Sequence, residues 1–309
     1  MIRYLLRRAL QCLPVLAMVI VIGFALIRMM PGDAAQVALG QKATEKELAD
    51  ERRRQGLDKP VPVQLLIFFR QVVTLDLPRT VEGGKPITRL IASRFVVTLK
   101  LGLGSMVVAL LFGLGMGLVS ARWPNRAPDW AARVASVAGV SIPVFWLAML
   151  LVALFAHHLG WLPSSGDDSL RHWILPCVSL GVIYSASLAR VSRAALLEEL
   201  ARPYCTTARA KGLGKWGILL NHALPNAMIP MVTVIGSQLA GLLTGAVLTE
   251  TVFRLPGLGT LFYNAITQRD RYLLITVMLA IALVFVVINF AADVAYAWLD
   301  PRVRYGRSS

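Results

Sequence analysis

Residues 204–230 read YCTTARAKGLGKWGILLNHALPNAMIP, a polar and basic insert between two apolar segments. The insert begins with small residues, and Ala208 and Gly212 are four apart, so on one helix they would share a flat face. Such a face lets the backbone of another protein approach closely. Gly212 and the glycine two positions later can end that helix. Residues 216–223 can form a second short helix, and Pro225 suits the first turn of the next one. The stretch therefore predicts a helix–turn–helix unit for docking.

The composition indicates a membrane protein. Of the 309 residues, 56% are hydrophobic and only 16% are charged, and the mean hydropathy is +0.63. A soluble domain carries about a quarter charged residues. Six apolar runs are long enough, or nearly so, to cross the hydrocarbon core of a bilayer. They cover residues 10–27, 101–121, 134–155, 173–189, 227–249 and 272–292. The fourth run is the weakest because it is short and contains Pro176. We predict an all-α membrane protein with six transmembrane helices.

Basic residues are distributed unevenly between the two predicted sides of the membrane. The net charge is +15, which in a soluble protein would suggest nucleic acid. With the N-terminus inside, the inner segments hold fifteen arginines and lysines, whereas the two short outer loops hold four. This bias follows the positive-inside rule. We therefore predict a multi-pass membrane protein with both termini cytoplasmic, in contact with membrane lipid and not with nucleic acid.

Several kinds of chemistry lack a sequence signature. No Gly-x-x-x-x-Gly-Lys-Ser/Thr motif for ATP is present, and no histidine is followed by glutamate as in metalloprotease helices. Cys12, Cys177 and Cys205 are odd in number and suggest neither a disulfide framework nor a zinc site. The adjacent His157 and His158 would point about 100° apart on a helix, which suits a shared metal poorly. We expect no enzyme, no bound metal and no cofactor on this chain.

At the central insert the chain resembles the inner-membrane permeases of ATP-binding-cassette importers. Their cytoplasmic loop carries Glu-Ala-Ala, three residues, Gly, and further on Ile-x-Leu-Pro. Residues 206–208, Gly212 and Leu224-Pro225 stand at these positions, although the glutamate is replaced. Residues 207–213, Thr-Ala-Arg-Ala-Lys-Gly-Leu, match the wording typical of the peptide branch. From composition alone, a solvated basic loop between helices is the alternative.

The resemblance extends over most of the chain. Residues 56–60, Gly-Leu-Asp-Lys-Pro, and residues 249–259 around Pro-Gly-Leu-Gly are similar to phrases of the dipeptide/oligopeptide/nickel branch. The C-terminal residues 300–304, Asp-Pro-Arg-Val-Arg, are also similar to the ending of proteins of this branch. The resemblance implies a type I importer fold with a cytoplasmic coupling-helix loop at about 193–226. It divides the chain into a first helix with a long extracytoplasmic segment (1–94), a permease core (95–298) and a cytoplasmic tail (299–309).

The resemblance also implies a location in the bacterial inner membrane, partners and functional residues. The partners are a second homologous permease, two ATPase subunits that bind ATP and Mg²⁺, and an extracytoplasmic solute-binding protein. The residues expected to couple to the ATPase are Thr206, Thr207, Ala208, Arg209, Ala210, Lys211, Gly212, Leu213, Leu224 and Pro225. The candidates for the translocation path or its outer gate are Ser237, Gln238, Glu250, Arg254, Pro256, Gly257 and Gly259.

Each path candidate also has a structural interpretation. Ser237 and Gln238 lie in an apolar run and can hydrogen-bond a neighbouring helix instead of lining a conduit. Glu250 and Arg254 are four apart and could form an ion pair. Pro256-Gly257 can simply make a rigid turn.

Three functions remain open at this stage. An importer of peptides, glutathione-like ones included, is favoured over one of nickel or metal chelates. A self-sufficient secondary carrier would show broken helices or ionisable residues near the midplane, and this sequence has almost none. A structural scaffold would not explain the basic insert.

Overall fold

The computed structural model describes residues 2–29, 35–36, 43–54, 56–74, 87–268 and 270–299. The regular secondary structure of these residues is helical, and no strand occurs among them. The helices are α1 (Ile2–Met29), α2 (Glu45–Arg54), α3 (Val61–Thr74), α4 (Ile87–Arg122), α5 (Ala127–Ser141), α6 (Val144–Leu151), α7 (Leu170–Leu200), α8 (Pro203–Ala210), α9 (Lys215–Ile218), α10 (Leu224–Gly245), α11 (Val247–Val252), α12 (Leu258–Thr267) and α13 (Arg271–Leu299). The tail motif at 300–304 lies outside the described residues.

Four of the six predicted apolar runs lie within single helices, whereas the runs 134–155 and 227–249 are each interrupted between two helices. The fold is that of an all-α membrane protein. Within the described residues, four helices are long and apolar enough to span a membrane: Ile87–Arg122, Leu170–Leu200, Lys215–Leu243 and Leu273–Ala292. A fifth span is obtained if α5 and the helix that follows it count as one. The apolar part of α1, Leu13–Leu26, is shorter than these.

The third predicted run is sharply broken. The helices Ala127–Ser141 and Val144–His158 meet at 104°, because Ile142 and Pro143 are both extended, with ψ angles of 124° and 135°. A proline forces the preceding residue out of the helical region. The second helix ends in a π-helical turn, Val152–His158, and both histidines at its end are exposed.

The longest helices, α4 and α7, pack along each other through small residues. A Cβ added at Gly113 would lie 2.9 Å from the Leu188 Cβ, and one added at Gly117 would lie 2.5 Å from the Ser192 Cβ. Both glycines are on α4 and face α7. Small residues at this spacing let helix backbones approach closely in a lipid environment, where hydrophobic association is absent. The candidate functional site packs on one end of this helix pair.

The segment after α1 forms two helices. Thr44 caps α2 together with Glu47, whose Oε2 accepts a hydrogen bond from the Thr44 N–H at 2.8 Å. The helix ends before Gly56, which has a φ of +67°. The following α3 packs on α1 through Phe68, whose ring centroid lies 6.0 Å from that of Phe24. Ile275 of α13 completes this small apolar cluster.

Candidate functional site

The predicted helix–turn–helix unit is present between the spanning helices α7 and α10. We call residues 203–223 the coupling segment. Its first helix, α8, begins at Pro203 after the extended Arg202, as expected for a proline in the first turn. The chain then turns at Gly212, which adopts a φ of +83°, a conformation that glycine enters without strain. The second helix, α9, follows at once.

The second half of the segment is continuous with α10. A π-helical turn, Leu219–Ala223, joins α9 to α10, and the Leu224 N–H donates to the carbonyl of Leu219, five residues back. Proline has no N–H, and its ring crowds the carbonyl four residues earlier. The wider turn provides the room that Pro225 needs at the start of α10. The prediction that Pro225 lies in the first turn of the next helix is confirmed, since α10 begins at Leu224.

One face of the coupling segment is buried against the bundle. Cys205, Ala208 and Ile218 are at most 5% exposed and share an apolar cluster with Leu196 of α7 and Ala121 of α4. Ala208 therefore points inward. The prediction of a flat docking face formed by Ala208 and Gly212 is wrong, because α8 ends at Ala210 and Gly212 lies in the exposed turn beyond it.

The opposite face of the segment is exposed and basic. It includes three apolar side chains, Leu213, Trp216 and Leu220, each 42% exposed. Leu224 is partly buried and packs on the inner cluster, whereas Pro225 is exposed. The other exposed residues named from the sequence are Thr206, Thr207, Arg209, Ala210, Lys211 and Gly212. Apolar groups among cations are a suitable surface for a protein partner.

Tyr204 links α7 and α10, the two helices that flank the coupling segment. Its hydroxyl donates to the Glu199 carboxylate at the end of α7 and accepts a hydrogen bond from the Asn226 amide of α10 at 3.1 Å. Burial and then the neighbouring Glu199 raise the pKa of Tyr204 to about 12, so the phenol stays protonated and keeps its donor role. Asn226 also donates to the His222 carbonyl at 2.9 Å.

An aromatic and cationic stack attaches α9 to the end of α4. The rings of Trp123 and Trp216 meet edge to face with centroids 5.9 Å apart. The Arg122 guanidinium lies 5.0 Å from the Trp123 centroid and 5.8 Å from the Trp216 centroid. Both contacts are within the range of cation–π attraction. The exposed half of the segment is thus held to α4 as well as to α10.

A buried carboxylate that the sequence analysis did not single out fastens α4, α5 and α7 beside the coupling segment. Asp129 has no exposed surface and accepts two hydrogen bonds from Arg193, at 2.7 and 2.9 Å. It also accepts from the Ser120 hydroxyl and, at 2.8 Å, from the Asn125 N–H. Arg133 lies at ion-pair distance, 3.3 Å. An aspartate near the start of a helix gave only a capping signal in the sequence, and the partner 64 residues away gave none.

The outer end of the bundle is organised by Glu250, which is fully buried. Its Oε1 accepts from the Thr98 hydroxyl at 2.6 Å, and its Oε2 accepts from the Thr260 N–H at 3.0 Å. A hydrogen bond from the Gly259 N–H adds to these, so the carboxylate caps the N-terminus of α12. Burial raises the pKa of Glu250 in spite of these bonds.

The predicted Glu250–Arg254 pair is not formed. The helix ends at Val252, and Arg254 lies beyond it with a φ of +52° and an exposed side chain, so helical spacing does not apply. Gly257 and Gly259 lie against the carboxylate, and a Cβ at Gly257 would overlap it. The Pro256 carbonyl accepts from Arg94 at 3.2 Å. The turn at residues 256–259 is thus held in place by the Glu250 carboxylate and by Arg94.

The two polar residues of α10 lie on different sides of the helix. The Gln238 amide donates to the Tyr184 carbonyl of α7 at 3.2 Å and is 8% exposed. Ser237 is exposed and donates to the Val234 carbonyl of its own helix at 2.9 Å. Gln238 therefore has the interhelical role, and Ser237 is the one that faces outward. Among the described residues, no group of three histidine, cysteine, aspartate or glutamate side chains could hold a metal ion.

Comparison with known proteins gives the class. Residues 109–305 match the family model described as "Binding-protein-dependent transport system inner membrane component", and residues 1–101 match the model of its N-terminal part. The chain is 39% identical over 305 residues to the glutathione transport system permease protein GsiC of Salmonella typhimurium (strain LT2) and to that of Escherichia coli (strain K12). Each alignment covers 99% of this chain and 100% of the relative.

Solved structures share the fold. A chain of the inward-facing MetNI methionine ABC transporter is similar with a TM-score of 0.60 at 21% identity, covering 70% of this chain and 99% of that one. A chain of an amino acid ABC transporter is similar with a TM-score of 0.52 at 18% identity, and the match covers 70% of this chain and 94% of that one. The fold is thus that of a type I importer transmembrane subunit. The chain belongs to the binding-protein-dependent transport system inner membrane components, as an importer permease of the peptide/nickel type.

Permeases of this family work with ATPase and binding-protein partners, and the ATPase is a separate subunit. The chain is therefore a multi-pass protein of the inner membrane and is not itself an enzyme.

Proposed function

We propose that this chain is one of two transmembrane subunits of an importer for small peptides, glutathione-like tripeptides included. The observation that carries the substrate class is the 39% identity to glutathione permeases over 99% of this chain and 100% of theirs. The remaining subunits are a homologous permease, two ATPases that bind ATP and Mg²⁺, and an extracytoplasmic solute-binding protein. Both termini and the coupling segment face the cytosol, as the excess of inner cations supports.

The exposed face of the coupling segment docks on an ATPase subunit in this proposal. Leu213 and Trp216 provide apolar contacts, and Arg209 and Lys211 provide charge. The inner face is packed on α4 and α7. A displacement of the ATPase is thus passed to both long helices, and the bundle switches between two packings as the nucleotide state changes.

The substrate is tested with the complete importer reconstituted in vesicles. Uptake of labelled glutathione, of a labelled dipeptide and of nickel is compared with ATP inside or absent. The proposal expects ATP-dependent uptake of a peptide that needs the binding protein. Uptake of nickel alone would replace the peptide assignment with the metal one. Uptake by this chain without an ATPase would overturn the importer mechanism itself.

The orientation is tested in whole cells and inverted vesicles. Leu213→Cys should react with a membrane-impermeant maleimide only from the cytosolic side. Labelling from the outside would contradict the proposed docking.

A further inference from the structure

A groove between α5 and α7 combines cations, an aromatic ring and a lipid-accessible apolar face. Arg133, Arg190 and Arg193 line it together with Ser120 and Ser136. Two of these guanidinium groups, those of Arg133 and Arg193, lie at ion-pair distance from the Asp129 carboxylate, whereas no ion pair joins Arg190 to it. The cluster therefore carries an excess of two positive charges. The interior of the groove, about 10 Å³, has room for about one water molecule, so we propose that its exposed arginine rim binds the headgroup of an anionic phospholipid.

The guanidinium groups differ in what they already bind. Arg193 is engaged by Asp129 through two hydrogen bonds. Arg133 lies at ion-pair distance from Asp129, but its buried Nε and Nη2 have no hydrogen-bond acceptor among the described residues. The Arg190 side chain is exposed and makes no hydrogen bond or ion pair to any residue that the structure describes. The Arg190 guanidinium and the exposed part of the Arg133 side chain, which is 35% exposed, can reach an anion, and a phosphate supplies several acceptors at once.

The groove lies at the depth where lipid phosphates lie. The apolar runs 101–121, 134–155 and 173–189 end directly beside Arg122, Arg133 and Arg190. Because these arginines mark the same boundary on three packed helices, they stand at the membrane–water interface. The inner leaflet of a bacterial membrane is rich in anionic lipid, which basic pockets between helices recognise.

The surface next to the groove is suited to the rest of a lipid molecule. The Arg133 guanidinium lies 4.2 Å from the centroid of Trp130, which is 58% exposed. Val134 and Val137 continue the same face of α5 towards the hydrocarbon core and are 63% and 61% exposed. The arginine therefore lies at the level of the lipid headgroup, the tryptophan at that of the glycerol region, and the two valines at that of the acyl chains.

The test uses the complete importer in lipid nanodiscs and spin-labelled lipids. Electron paramagnetic resonance measures the affinity of the motionally restricted shell for phosphatidylglycerol relative to phosphatidylcholine. We expect selectivity for phosphatidylglycerol, reduced about fivefold by Arg190→Gln, since one cation near the surface contributes about that factor. Arg190→Lys should keep the selectivity because it keeps the charge. Arg171→Gln, an exposed arginine at the other end of α7, is the matched control and should leave it unchanged.

Three results would overturn the assignment. The first is equal selectivity in the wild type, Arg190→Gln and Arg133→Gln. The second is competition by inorganic phosphate as effective as that by phosphatidylglycerol, which would identify a soluble anion as the ligand. The third is efficient disulfide crosslinking of Val137→Cys to a cysteine on the second permease, which would show that protein covers this face. These outcomes do not depend on the transported substrate, so they are separate from those for the proposed function.

Discussion

The Asp129 carboxylate of α5 and the Arg193 guanidinium of α7 form a two-pronged ion pair, with N–O distances of 2.7 and 2.9 Å. The pair lies seven residues before the end of α7, which leads into the coupling segment. It fixes the orientation of α7 relative to α5, and Ser120 extends the connection to α4. One buried charge thereby joins α5 to the two helices, α4 and α7, on which the coupling segment packs.

Loss of this pair should destabilise the chain. Arg193→Gln removes both hydrogen bonds and leaves a fully buried carboxylate with Arg133 as its remaining cation. We expect a loss of about 3 kcal/mol, typical of breaking a buried pair on one side, measured by thermal unfolding of the purified importer. Arg202→Gln is the control: its pair with Glu198, at 2.9 Å, is 53% and 69% exposed and should cost less than about 1 kcal/mol. Equal losses of stability in the two variants would contradict the conclusion that the buried Asp129–Arg193 pair holds the helices together.

The exposed face of the coupling segment should be required for transport but not for folding. Leu213→Asp places a charge at the proposed contact with the ATPase, so we expect roughly a tenfold loss of transport, as for one apolar interface anchor. Unfolding temperature should not change, because the side chain is 42% exposed. Leu170→Asp, at an 87% exposed leucine on the other end of α7, should transport normally. A fully active Leu213→Asp importer would exclude this contact.

The inner face should respond in the opposite way. Ala208 is 5% exposed within the apolar cluster under α8, so Ala208→Arg buries an unpaired guanidinium in a closely packed site. We expect loss of folded protein, and not an inserted but uncoupled permease, since burying an unpaired charge costs several kcal/mol. Detergent-solubilised yield and size-exclusion profile distinguish the two. Thr207→Arg, on the exposed side of the same helix, should accumulate like the wild type.

The turn around Glu250 should not tolerate a methyl group. Gly257 has an ordinary φ of −99°, so Gly257→Ala is harmful only because its Cβ would overlap the Glu250 carboxylate. Overpacking of this kind costs about 2 kcal/mol and should lower the unfolding temperature. Gly115→Ala on α4 meets nothing within 4 Å and serves as the control. If both glycines accept alanine equally, the packing of the carboxylate on the turn is not as described.

The stack between α4 and α9 should show measurable coupling. In a double-mutant cycle of Trp123→Ala and Trp216→Ala, we expect an interaction free energy of about 1 kcal/mol, as for other edge-to-face aromatic pairs. The measurement is the stability of the two single variants and the double variant. Strict additivity would mean that α9 is not held by Trp123.

The membrane helices and the helix–turn–helix unit could be predicted from the sequence because they depend on local signals. Apolar runs, the proline at the start of α8 and the glycine at the turn act within a few residues. The orientation of Ala208 could not be predicted, since which face of a short helix is buried depends on α4 and α7, far away in sequence. The prediction of a Glu250–Arg254 pair was wrong for the same reason, because the carboxylate binds Thr98, which is 152 residues away. The helix also ends before Arg254. The Asp129–Arg193 pair joins distant segments and left no pattern.

The π-helical turn before Pro225 has a mechanical consequence. It keeps the helix continuous past Pro225, so Lys215–Leu243 is one helical span about 43 Å long at 1.5 Å per residue, with Pro230 inside it. Gly212, by contrast, leaves α8 as a separate short piece. A force on α9 therefore acts directly on a membrane-spanning helix, whereas a force on α8 reaches that helix only through the turn at Gly212.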